Sequence, residues 1–399
     1  MKVSLVLSFQ RKNFFFEKKK QNTSFVQSEP TMKTDITRRT LAALAMASLA
    51  RPAWAAPISD ALGRPVALTR PAERIVLGFN YEEFTAIAGP GGWDRVVGFS
   101  RALWADWRPS TFRRYSVPIP RLVDLPDVGN TEDGNFSLEK VLSLRPDLVV
   151  LAEWSLGPLA AQVKQLEALG IAVMVIDYNA EMLERHVAST LALGFATGNE
   201  ERARTLATLY TDKLADIQKR AASAGGKPKL YVELGQGGAG TVGNTYWKSM
   251  WGRLIDQIGA DNIAANHIAG GWGPLNPEYV LAADPDAIFI AGSSWKSPTA
   301  VRTGYDVDIA TTRASLAPYA KRQGWAELKA IRNGQLFALE HGLCRALFDY
   351  TATYFIAKQL YPAAFADIDP VAELRSYHER FLPVAFEGCW MARLTANAT

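Results

Sequence analysis

Aromatic rings and arginines recur where apolar runs of this chain give way to loops. In the first half these are Tyr81, Trp104, Trp107, Arg108, Arg113, Arg114, Tyr115, Trp154 and Tyr178. In the second half they are Tyr246, Trp247, Trp251, Trp272, Trp295, His341 and Arg345. Trp and Tyr offer rigid contact area with one polar tip. Arg adds a planar fork that matches carboxylates and other anionic oxygens. Together they suit a large, amphipathic, anionic ligand. A single tryptophan more often packs into a core, so the argument rests on shared placement at strand ends. The expected ligand-binding residues are Tyr81, Trp104, Arg113, Arg114, Trp154, Tyr246, Trp247, Trp272, Trp295, His341 and Arg345. Arg113, Arg114 and Arg345 are expected to face one another across a cleft.

Signatures of covalent chemistry are missing from the sequence. There is no G-x-S-x-G elbow and no phosphate-binding Walker loop. Glu82-Glu83 lacks a matched acid/base partner and reads as helix-start charge, favoured there by the helix dipole. His186, His267, His341 and His378 are scattered, without H-x-x-x-H or C-x-x-C spacing, so no zinc site is expected. Gly235-Gln236-Gly237-Gly238-Ala239-Gly240 fits G-x-G-x-x-G after a strand. However, Thr241 to Thr245 intervene before any helical pattern, and no acid closes a second strand about twenty residues on. It reads as a flexible loop facing the cleft. No catalytic residue, resident metal or cofactor is expected. An exported α/β enzyme with a nucleotide-type cleft is the rival reading.

The elements that must position these residues alternate. Apolar runs at 74–78, 95–99, 147–151 and 172–176 are separated by helical stretches around 81–88, 136–144 and 158–169. That is the pattern of β-α-β units and a parallel sheet covered on both faces. From Asn199 to Ala222 no Pro or Gly intervenes, and Leu206, Leu209, Leu214 and Ile217 form one apolar stripe. One helix of more than six turns is expected, ended by Gly225-Gly226-Lys227-Pro228. Strands then restart at 230–234, 286–291 and 335–339, with helices at 247–258, 277–282, 325–331 and 345–360. The expected fold is α/β: two Rossmann-like lobes with parallel sheets joined by a single long backbone helix. The lobes span 56–198 and 225–399, with the connecting helix at 199–224. Ligands of such folds bind at the C-terminal ends of the strands.

The chain has 399 residues, 48% hydrophobic and 21% charged, an ordinary globular composition. Its formal charge of +4 is uneven. Residues 1–55 hold ten Lys/Arg and three acids, leaving 34 basic and 37 acidic residues in the body, a net of −3. That gives no electrostatic case for nucleic acid. Within the leader, Arg38-Arg39 precede an apolar run from Leu41 to Ala50, and Ala53-Trp54-Ala55 supplies a cleavage site. This order reads as a twin-arginine export signal starting from Met32 and cleaved near Ala55. Residues 1–31 read as an extension upstream of the start. Cys344 and Cys389 could form a disulfide in an oxidising compartment or remain buried thiols.

A longer pattern then emerges. Asp60-Ala61-Leu62-Gly63-Arg64-Pro65-Val66 leads into Pro71-Ala72-Glu73-Arg74-Ile75-Val76. Leu138-Glu139-Lys140-Val141-Leu142-Ser143-Leu144-Arg145-Pro146-Asp147-Leu148-Val149 has an echo in Asn276-Pro277-Glu278-Tyr279-Val280 before Asp284-Pro285-Asp286-Ala287-Ile288. Tyr377-His378-Glu379-Arg380-Phe381-Leu382-Pro383 follows near the end. The sequence resembles the periplasmic solute-binding proteins of iron–siderophore, haem and cobalamin ABC importers. The resemblance implies two rigid lobes on a backbone helix, with limited hinge motion. It implies that Glu139 and Glu278, one per lobe, dock on an inner-membrane ABC permease. It also implies capture of a ferric siderophore or related metal chelate by a periplasmic monomer, with haem or cobalamin as the alternative. In that alternative an axial His341 or Tyr246 is expected.

Overall fold

The computed structural model describes residues 58–133 and 135–395. The leader, with its twin arginine and cleavage site, lies outside the described residues. Among those described, no helix is long and apolar enough to cross a membrane.

Two sheets organise the chain. The first contains β1 (Ile75–Leu77), β2 (Val96–Phe99), β3 (Leu148–Ala152) and β4 (Ala172–Ile176), in the order β2-β1-β3-β4 and all parallel. Every residue of β1, β3 and β4 is buried, as a sheet covered on both faces requires. The second sheet is built from β5 (Lys229–Leu234), β7 (Asp261–Asn262), β9 (Ala287–Gly292), β10 (Leu336–Glu340) and β11 (Met391–Arg393). Its order is β11-β10-β9-β5-β7. Four strands run parallel, as expected, and β11 closes one edge by pairing antiparallel with β10. A separate antiparallel pair, β6 (Asn244–Tyr246) with β8 (Trp272–Pro274), sets Tyr246 opposite Trp272. The fold is thus α/β with two lobes.

The helix Glu200–Ala224 connects the sheets in sequence. Ala203, Leu206, Ala207, Tyr210, Leu214, Ile217 and Ala221 are its buried stripe, at helical spacing. Gly225, at φ 68° and ψ 178°, takes an extended positive-φ conformation open to glycine, and the helix ends there. Lys213 pairs with Glu373 at 2.7 Å, and Arg220 with Asp367 at 2.7 Å, tying this helix to the C-terminal segment. One contiguous apolar core includes Leu77 and Ile176 of the first sheet, Leu206 and Tyr210 of the connecting helix, and Phe289 and Leu339 of the second. Lobes that share a core in this way resist free hinge motion.

Three expected helices are displaced or split. The helix expected over 247–258 spans Trp251–Gln257, and the one over 345–360 spans Tyr350–Leu360. The stretch over 325–331 divides into a 3-10 turn, Trp325–Glu327, and a short helix, Lys329–Arg332. In the first two cases the leading residues, Trp247 to Met250 and Arg345 to Asp349, form loops that reach the site.

Candidate functional site

Between the sheets lies a cleft of about 720 Å³. Its walls come from the C-terminal ends of strands. Trp154 follows β3, Asn179 and Ala180 follow β4, Gln236 follows β5, Ser293 and Trp295 follow β9, and His341, Gly342 and Arg345 follow β10. In each sheet the two central strands, β1/β3 and β5/β9, send the chain in opposite directions, which opens the space that such folds use for ligands.

Six of the expected residues meet here: Trp154, Tyr246, Trp272, Trp295, His341 and Arg345. Trp107 and Arg108 join them from the turn between two short helices, Ala102–Ala105 and Pro109–Ser116, that follow β2. On the first-lobe side, Trp107 and Trp154 both meet Phe79 edge-on, at 6.4 and 5.1 Å. On the second-lobe side, Tyr246 and Trp295 flank His341 at 5.8 and 6.0 Å. Trp272 is 62% exposed, held out by the β6–β8 pair.

Arg345 lies on the cleft floor, its guanidinium over Phe79 at 5.5 Å and Trp107 at 6.0 Å. Burial lowers its pKa, but arginine remains charged in proteins. No ion pair among the described residues includes it. Arg108 differs: it pairs with Glu82 and lies 3.6 Å from Glu340. Glu340 is itself held by Ser293 at 3.1 Å and the Gly342 amide at 2.6 Å.

His341 has a defined tautomer. The indole Nε1 of Trp251, which only donates, points at its Nδ1 from 3.2 Å. Burial, then the charges of Arg345 and Arg108, hold its pKa well below the usual histidine value. A neutral ring whose Nδ1 accepts carries its proton on Nε2. His341 is therefore a donor, not a free lone pair. Burial also raises the pKa of Tyr246, which keeps its phenol protonated.

Five expected site residues lie elsewhere. Tyr81 and Trp104 are core residues, stacked at 4.7 Å, with Trp104 stacked in turn on Trp93 at 5.7 Å. Tyr81 opens a helix, Tyr81–Ala88, in which only Ala88 escapes full burial, so its ring points inward. Trp247 is half-buried with the ammonium of Lys248 over its ring at 3.9 Å, and it does not line the cleft. Arg113 and Arg114 sit in the last turn of a helix, Pro109–Ser116, and turn away from the cleft. Arg113 binds Asp306 at 3.0 Å, and Arg114 binds Asp306 at 2.7 Å and Glu387 at 2.6 Å, a seam between the lobes. Sequence reasoning did not single out the polar lining of Asp106, Glu132, Glu153, Asn179, Lys248 and Ser249. Cys344 and Cys389 are buried free thiols.

The Gly235–Gly240 loop opens no helix. Gly238, at φ 77°, lets it run against the backbone of Thr299, and Arg322, paired with buried Glu233 at 2.7 Å, holds it from behind. It lacks the helix N-terminus that a dinucleotide phosphate needs.

Glu139 and Glu278 are exposed and occupy matching places. Each is the second residue of a helix, Leu138–Ser143 or Pro277–Ala283, whose cap residue, Ser137 or Asn276, accepts a backbone N–H. Each helix leads to a central strand, β3 or β9.

Comparison with known proteins agrees with this architecture. A crystal structure described as the TroA-like periplasmic binding protein FepB from Veillonella parvula superposes with a TM-score of 0.79 at 34% identity, covering 85% of this chain and 99% of that one. An uncharacterized ABC transporter substrate-binding lipoprotein, YvrC of Bacillus subtilis, is 25% identical over 287 residues, 72% of this chain and 78% of that protein. A vitamin B12-binding protein of Vibrio cholerae is 25% identical over 272 residues, 67% of this chain and 81% of that protein. The periplasmic binding protein family model matches residues 80–341, from the end of β1 to the histidine of the cleft floor, and the chain belongs to that family.

Proposed function

We propose that this protein is the exported substrate-binding component of an ABC importer and that its cleft captures a ferric siderophore or similar anionic metal chelate. Arg345 carries the reading: a charged, unpaired guanidinium on an aromatic floor, with the Nε2–H of His341 beside it. Both groups donate to oxygen. His341, whose Nδ1 accepts from Trp251 and whose Nε2 carries the proton, presents no free lone pair for axial ligation. This favours a metal whose coordination sphere is complete before it arrives. The acids Asp106, Glu132 and Glu153 also line the cleft. They would repel an anion, so the anionic part of the ligand belongs at the Arg345 floor. Delivery would use Glu139 and Glu278, which present one carboxylate on each lobe and so report the spacing of the lobes to a permease.

Visible spectra test the metal chemistry. Wild-type protein mixed with haemin, with aquocobalamin and with a ferric catecholate should leave the haemin Soret band at its free position and retain only the catecholate charge-transfer band through gel filtration. A shifted Soret band that co-elutes with the protein would establish axial ligation and replace this reading with haem binding.

A further inference from the structure

Beneath the cleft floor, two carboxyl groups from opposite lobes meet in the protein interior. Glu181 follows directly on Asn179 and Ala180, which line the cleft on the first-lobe side. Asp349 ends the loop that carries His341 and Arg345 of the cleft floor, just before the helix Tyr350–Leu360. The two acids are almost fully enclosed, at 4% and 1% exposure. An oxygen of each and a ring nitrogen of buried His186 lie within 4.8 Å of one another, and the two carboxyl groups hydrogen-bond each other.

A carboxylate only accepts, so a hydrogen bond between two carboxyl groups needs a proton on one of them. No other donor takes that place. Neither Glu181 carboxyl oxygen has a hydrogen-bond donor among the described residues. Nε2 of His186 lies 3.5 Å from Glu181 Oε2 but closer, at 3.1 Å, to the Tyr178 carbonyl that takes its proton. Nδ1 is 3.8 Å from Asp349 Oδ2, beyond hydrogen-bond reach. Burial lowers the pKa of His186 to about 4, so its ring is neutral and brings no charge. The Tyr210 hydroxyl reaches Asp349 Oδ2 only at 3.5 Å. Among the described residues, no lysine or arginine pairs with either acid, and nearby Arg185 is taken by Asp177 at 2.5 Å. The other groups facing the pair are the Cys344 thiol, Glu83 from the helix Tyr81–Ala88, Tyr350, and Gln257, which donates to the Glu181 carbonyl at 3.2 Å. None of them is a cation.

Two ionised carboxylates this close in a dry interior would repel, each without a counter-charge. One proton between them replaces the repulsion with a bond. We propose that a proton shared between Glu181 and Asp349 clasps the two walls of the cleft together beneath its floor, and that its loss at alkaline pH loosens them. Burial raises both carboxyl groups well above the usual range, and the proton belongs to the pair rather than to either residue. The folded pair keeps this proton where the unfolded acids have lost theirs. Its contribution to stability is therefore complete below about pH 4 and is lost as pH rises through the folded value. The clasp lies outside the ligand cleft and does not depend on what the cleft binds.

Infrared spectra of the whole protein read the proton directly. At neutral pH a band of a protonated, buried carboxyl group should be present, and it should bleach as the pH is raised. Glu83→Gln should retain that band, because it removes the other buried acid of this region, whose pKa burial raises to about 7. The double variant Glu181→Gln/Asp349→Asn puts a permanent amide N–H where the proton was, and in the Glu83→Gln background it should abolish the band. In that background, the urea midpoint of the protein that keeps both acids should fall as pH rises above neutral, and that of the double variant should stay level. Hydrogen exchange of the segments 179–181 and 345–349, compared between the two proteins at each pH, should quicken only where both acids are present. If the double variant does not fold, the Glu83→Gln protein decides alone: its band should bleach over the pH range in which its midpoint falls. A missing band at neutral pH, or an equal alkaline fall with and without the two acids, would overturn the proposal.

Discussion

The cleft floor and the seam between the lobes both carry arginines, and the fold treats them differently. At the seam, Arg113 and Arg114 are satisfied from within by Asp306 and Glu387. At the floor, Arg345 has aromatic faces beneath it and no carboxylate partner among the described residues. The residue type is alike, although Arg113 and Arg114 end a helix and Arg345 lies in a loop. What differs is whether the chain supplies the counter-charge. A charge satisfied internally holds the molecule together, and one left open is available to a ligand. The histidines divide the same way. His378 has both ring nitrogens occupied, donating from Nδ1 to the Leu374 carbonyl and accepting at Nε2 from the Tyr305 hydroxyl, each at 2.9 Å. His341 has only Nδ1 occupied.

The largest effect expected from this contrast is at Arg345. Arg345→Ala should cost an anionic ferric chelate about 2–5 kcal/mol of binding, the range for losing a desolvated charge contact. Tryptophan fluorescence titration reads this, because Trp107, Trp154, Trp272 and Trp295 line the cleft. A loss of less than about 1 kcal/mol would place Arg345 with the seam arginines.

Next comes His378. Burial lowers its pKa to about 4 from an unfolded value of 6.5. Between these values the unfolded chain takes up a proton that the folded chain refuses. The neutral ring's contribution is therefore complete above pH 6.5 and is lost as pH falls toward 4. The loss approaches about 3 kcal/mol. Urea midpoints of wild type should fall over that range, and those of His378→Gln should fall less. Equal slopes would show that His378 accepts its proton without unfolding.

Arg114→Ala should be milder. Its ion pairs are partly exposed, so the stability loss should be no more than about 1 kcal/mol and should shrink in salt. Chelate affinity should stay within about twofold of wild type. A larger change in affinity would mean that the seam controls the cleft.

The smallest effect on binding belongs to Glu139→Ala and Glu278→Ala. Chelate affinity should not change, while uptake through the permease slows, since exposed charges at an interface set register and association rate. A loss of affinity beyond about tenfold, roughly 1.4 kcal/mol, would move that residue into the cleft.

The fold was readable where local pattern and burial agree. The strands β1, β3 and β4 are unbroken apolar runs, and the connecting helix shows its stripe over six turns. Other elements left weak signals. The helix Leu183–Thr197 includes buried His186, Ser189, Thr190 and Thr197, which blur its apolar face. The helix Pro109–Ser116, of eight residues, has too few apolar positions to show a period. Missing it left Arg113 and Arg114 in an imagined loop beside the cleft. Trp154, Trp295, His341 and Arg345 were legible because they follow strands whose C-terminal ends face the cleft. Tyr81 also follows a strand, but it starts a helix at once and is turned into the core. Glu181 and His186 are near neighbours in sequence, but their buried contact with Asp349 joins the two lobes, which no local pattern shows.

The account turns on charge at the cleft floor. The most direct measurement is the affinity of wild-type protein for two ferric chelates of similar size, a tris-catecholate carrying negative charge and a neutral tris-hydroxamate, at low and high salt. The unpaired guanidinium of Arg345 predicts that the catecholate binds at least about tenfold tighter, a difference of roughly 1.4 kcal/mol. It also predicts that the difference persists in salt, because a buried charge is screened far less than an exposed one. Equal affinities, or tighter binding of the neutral chelate, would contradict the claim that Arg345 selects an anionic ligand.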